Sequence, residues 1–96
     1  MESNEIKKII KYWQTTAEHD YETMIGLFRI KRYSDSLFFG HIVLEKILKA
    51  HVVYATKKEP LHTHDLARLC ISGNLELLKD EIDLLNIVND FNIRVS

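Results

Sequence analysis

The chain has 96 residues, of which 46% are hydrophobic and 28% charged, enough for one domain and too apolar for intrinsic disorder. Lys and Arg number 13 against 14 Asp and Glu, a net charge of −1, which excludes a global field that gathers nucleic acid; any such site must be a local patch. A single cysteine excludes an intramolecular disulfide framework.

Three Gly and one Pro leave little material for tight hairpins and favour long helices. No apolar run approaches the about 20 residues that span a bilayer, and the N-terminus lacks the basic-then-apolar order of a signal peptide. The expectation is a soluble, cytoplasmic protein without membrane contact. A domain of this size buries roughly 60–65% of its unfolded surface, so it gains from adding core at a dimer interface.

From Ile6 the apolar residues Ile9, Ile10, Trp13, Ala17, Tyr21, Met24, Ile25 and Phe28 follow in steps of three and four. This is one stripe of a helix over about residues 4–31, with Ser3 or Asn4 as N-cap and Lys7, Lys8, Lys11, Glu18, Glu22 and Arg29 opposite. A second helix begins at Ser34-Asp35, where either side chain offers a cap. From Leu37 to Val53 it is apolar on nearly every side, interrupted only by His41, Glu45 and Lys49 at spacings of four. Such a helix needs cover on at least two faces, from its own chain and from a second copy. Pro60 is expected to end it.

A short third helix is expected over about 64–72, with Thr63 or Asp65 at its start and Gly73 as C-cap. The fourth runs from about Leu75 to the end on Leu75, Leu78, Ile82 and Leu85, with Leu84, Val88, Phe91 and Val95 beside them. Strand signals are absent. The fold class expected is all-α, an up-down four-helix bundle with two long and two shorter helices in a single domain over residues 1–96. The fourth pattern is still running at Ser96, which suggests a clipped or abbreviated chain that lacks part of its last helix.

Four groups of residues are candidates for chemistry. His41, Glu45 and Lys49, with Lys46 alongside, share one stripe of the most apolar helix, where desolvation makes polar groups useful. Spacing alone favours the ordinary reading, a Glu–Lys pair on a solvent face worth a few tenths of a kcal/mol. His62-Thr63-His64-Asp65 offers two imidazoles and a carboxylate, but two ligands from one loop do not close a metal site. The reading preferred there is capping by Thr63 and Asp65 with His64 bracing the loop, and no metal.

Cys70 sits between Leu69 and Ile71 without a local base and reads as core. Arg29, Lys31 and Arg32 beside Tyr33 have the residue types that meet phosphate and stack a base, yet a cationic helix end explains them equally. No glycine-rich phosphate loop, Ser-His-Asp order or paired hydrolase carboxylates occur, and nothing in the residues asks for a cofactor.

Taken together, several stretches resemble the HEPN domain family of higher eukaryotes and prokaryotes. They are Trp13, Ala17 and Asp20, then Arg32-Tyr33-Ser34-Asp35, then Phe39-Gly40-His41 leading into Leu44-Glu45-Lys46-Ile47-Leu48-Lys49-Ala50, and finally Thr63-His64-Asp65-Leu66 with Leu69. The resemblance implies a helical bundle that forms homodimers and is often encoded beside a small nucleotidyltransferase partner. It further implies one of two roles: a metal-independent RNase of toxin–antitoxin systems, or a binding and assembly module. The RNase signature is an Arg followed four to six residues later by His on a late helix. Arg94 is followed only by Val95 and Ser96, and positions 72–74 after Arg68 are Ser, Gly and Asn.

The expected function is therefore a dimeric module without a complete catalytic motif, binding a nucleotidyltransferase partner, a nucleotide or RNA. His41, Glu45, Lys49 and Arg94 are the expected ligand-binding residues, in a groove near the dimer axis. The alternative is an RNase toxin whose full-length form extends past Ser96 and there supplies the histidine.

Overall fold

The computed structural model describes residues 1–76, 78–83 and 86. Three helices are defined among them: α1 (Ser3–Arg29), α2 (Tyr33–Thr56) and α3 (Leu66–Ser72). Residues 79–83 are helical as well, and no strand occurs among the described residues. The protein is all-helical there, and none of the described helices is long and apolar enough to cross a membrane. Most of the expected fourth helix lies outside the described residues.

α1 and α2 form an antiparallel hairpin. Its turn closes by a Schellman arrangement: Arg32 N–H donates to Leu27 O at 2.9 Å and Lys31 N–H to Phe28 O at 3.0 Å. Lys31 takes the left-handed position, φ 64°, that glycine usually occupies. The same device ends α3, where Asn74 is left-handed at φ 59° while Gly73 keeps a negative φ. Near the turn the hairpin is tight. Ser36 Oγ donates to Met24 O at 2.9 Å, and a Cβ on Gly40 would stand 3.2 Å from Met24 Sδ.

Boundaries moved for identifiable reasons. Glu2, not Ser3 or Asn4, occupies the α1 N-cap and makes no side-chain bond to the helix. Arg32 rather than Ser34 or Asp35 caps α2; Asp35 pairs with Arg32 at 2.6 Å instead. α2 stops at Thr56, ahead of Pro60, because Lys57 turns left-handed at φ 58°. Asp65 does cap α3, its Oδ1 accepting from Ala67 N–H at 3.0 Å and Arg68 N–H at 3.3 Å. Glu81 caps the turn at 79–83 in the manner of a capping box, its Oε1 accepting from Leu78 N–H at 2.9 Å.

The core forms where α2 meets α1 on one side and α3 on the other. Val52, Val53, Leu66 and Leu69 are at most 1% exposed, with Ala17, Val43, Ala50, Ala67 and Cys70 around them. His51 Nε2–H reaches across to donate to Gly73 O at 3.0 Å, tying α2 to the end of α3. Two flanks of α2 are thus covered. A third is not: Leu37, Leu44, Ile47 and Tyr54 remain 42–64% exposed.

Candidate functional site

The His41–Glu45–Lys49 line is not a solvent face. The three residues are 3%, 6% and 8% exposed, because α1 and the loop leading into α3 close over this side of α2. Spacing could not distinguish the two sides, since apolar residues flank the line on both.

Within it the charges are tightly paired. Lys49 Nζ donates to Glu45 Oε2 at 3.1 Å, and the Nδ1–H of His64 donates to Glu45 Oε1 at 2.6 Å. Each oxygen of the buried carboxylate is therefore occupied. One turn earlier, Lys46 donates to Asp20 of α1, itself buried. Lys49 also lies 5.1 Å from the ring centroid of Trp13, a cation–π approach. These contacts tie α1, α2 and the α3 entry loop into one polar ladder.

A buried pair of this kind contributes little net stability when intact, since desolvation offsets the Coulomb attraction, but losing one partner strands a charge. Glu45 held between two donors is a poor general base, as its lone pairs facing them are spent. The arrangement suits holding and positioning rather than proton abstraction.

The residues around the ladder follow from local chemistry. Thr63 Oγ1 accepts from Asp65 N–H at 3.1 Å, an ST turn that aims His64 back at α2. His64 thus braces the loop, its outer side largely exposed. Among the described residues no group of three His, Cys, Asp or Glu side chains converges as a metal site requires. Cys70 is buried and free, its thiol pushed up from the ordinary value of 9.0 by burial and, second, by the charge of Glu81. Arg29, Lys31, Arg32 and Tyr33 cluster at the α1–α2 turn and are exposed. There Phe28 and Tyr33 meet edge to face at 5.4 Å.

Of the four expected ligand-binding residues, His41, Glu45 and Lys49 stand on one buried side of α2, and Arg94 lies outside the described residues. Sequence reasoning missed the contacts that join the line to other elements: His64 to Glu45, Trp13 to Lys49 and Asp20 to Lys46. Charge pairs across helices leave no periodic trace. The usable signal was an isolated Asp20 on the inward stripe of the first helix.

Two cavities flank the helical hairpin. One of about 940 Å³ lies between α1 and α2, with Ala17, Tyr21, Val43, Ile47 and Tyr54 among its walls. The other, about 310 Å³, lies beside Trp13 and Lys49 under the loop at 59–62. They share no lining residue.

No curated protein and no solved structure matches the chain. A family model described as HEPN domain matches residues 10–95. That span takes in α1 from its second turn, all of α2 and α3, and the ladder that joins them, so the chain belongs to the HEPN domain family.

Proposed function

We propose that this chain is a HEPN binding and assembly module, an up-down four-helix bundle that pairs with a second copy of itself. The observation that carries the reading is the uncovered flank of α2. Positions 33, 37, 40, 44, 47, 51 and 54 advance in alternating steps of four and three, the register of a helix–helix seam, although Gly40 and His51 within it already meet Met24 and Gly73 of the same chain. Tyr33, Leu37, Leu44, Ile47 and Tyr54 on that seam are 51%, 57%, 42%, 51% and 64% exposed. Large apolar residues left open in a row mark a surface built for another protein. The larger cavity runs beside the seam and shares Ile47, His51 and Tyr54 with it.

In this reading the dimer is the platform on which a cytoplasmic small nucleotidyltransferase, a nucleotide or RNA is bound, with His41, Glu45, Lys49 and Arg94 nearest the ligand. The paired, buried Glu45–Lys49 line, suited to holding rather than to proton abstraction, supports the binding reading. Light scattering after size exclusion tests the pairing. A dimer at micromolar concentration is expected, converted to monomer by Leu44→Lys; a monomeric parent protein refutes it. Thermal shift with nucleotides and short RNA tests the ligand, since binding to the folded form raises the melting temperature.

A further inference from the structure

The smaller cavity carries an inference that stands apart from the pairing. We infer that the pocket between Trp13, Lys49 and the 59–62 loop is a binding site for a small ligand joining a flat ring to an anionic phosphate or carboxylate. Lys49 is 8% exposed and lines the pocket. Its ammonium has three N–H donors, yet among the described residues the Glu45 carboxylate is the one oxygen acceptor it holds. Its other contact is the Trp13 ring at 5.1 Å, which leaves room for a further oxygen acceptor on the cavity side.

The rest of the wall supplies the other half of the ligand. Trp13 and Tyr12 stand edge to face at 5.1 Å on α1, and Pro60 faces the cavity from the loop. These rings and the proline give the cavity apolar surface against which a planar group can pack. Lys8 and His62 line the same pocket, opposed by a single carboxylate, that of the exposed Glu59. The volume, about 310 Å³, is that of a small-molecule site.

Trp13 is the only tryptophan in the chain, so its emission reports the pocket directly. Titrating the full chain with phenyl phosphate or benzoate should change that emission saturably, and whichever binds tighter identifies the anionic group. Phenol and inorganic phosphate should need at least tenfold higher concentrations. Lys8→Glu, at an exposed position that leaves the ladder intact, should weaken the preferred anion at least fivefold. Glu45→Gln with Lys49→Met, which removes the buried pair together, should abolish saturation.

A non-saturable response to both anions, equal responses to phenol, or unchanged affinity in Lys8→Glu overturns the site even if the double variant does not fold. A monomer in light scattering would sink the pairing and leave this titration untouched, because the pocket and the groove beside the seam have no residue in common.

Discussion

Replacing Glu45 by Gln tests the energetic meaning of the ladder directly. The substitution keeps the shape of the side chain and removes its charge, leaving the Lys49 ammonium at 8% exposure without a counter-ion. Breaking a buried ion pair by deleting one partner costs about 3–5 kcal/mol, against a total stability on the order of 5–15 kcal/mol for a domain. At about 4–8 °C of melting temperature per kcal/mol for a domain near this size, the loss corresponds to at least about 12 °C. Adding Lys49→Met removes the stranded charge and should return most of the loss, giving a coupling energy of about 2 kcal/mol or more in the double-mutant cycle. Urea and thermal unfolding followed by far-UV circular dichroism measure all four corners. A Glu45→Gln variant within about 1 kcal/mol of the parent would show that water reaches the pair and that the ladder is not a buried one.

Two further outcomes follow from single contacts. Gly73→Ala would place a Cβ 2.7 Å from His51 Cδ2 and 3.3 Å from Val52 Cγ2, so it should cost about 1–3 kcal/mol in the same melts; a neutral effect would mean that the α2–α3 junction is slack. The Cys70 thiol, raised above 9.0 in the folded chain, should resist thiol reagents at neutral pH until the protein unfolds. The unfolded chain loses this proton first, so the stability contributed is fully present below pH 9.0 and is lost as pH rises through the folded value. Melting temperatures measured with Cys70→Ala alongside should converge with those of the parent as pH climbs above that range.

The helices were legible because their apolar residues repeat every three to four positions and because Asp65 is a strong capping residue in front of an apolar run. The ends were harder to read. Lys31, Lys57 and Asn74 terminate helices in left-handed geometry, and neither lysine advertises that role. The candidate site was half legible: Glu45 and Lys49 do pair at i,i+4, as spacing suggests. Their burial was hidden, since it is decided by Trp13 and the 59–65 loop arriving from elsewhere in the chain, which no local pattern records. His64 was read rightly as a brace, but its partner could come only from the fold.

α2 inverts the usual partition of residues. It buries His41, Glu45 and Lys49 while leaving Leu37, Leu44, Ile47 and Tyr54 open, whereas charged residues are almost never fully buried unless paired. Under the proposed pairing, two packing demands on one helix account for this: the ladder locks α2 to its own chain, and the apolar seam is kept for a second surface. The seam should therefore be dispensable for folding and required for association. Leu44→Gln with Ile47→Gln is expected to leave the far-UV spectrum and the protection of Cys70 unchanged. It should also abolish any rise of melting temperature with protein concentration, which a dimer must show because association stabilises only the folded chain. If the parent melts at one temperature across a hundredfold range of concentration, the seam is not a self-association surface. If instead the double variant loses its helical signal, those side chains belong to the core of the monomer and the division of α2 into two duties is wrong.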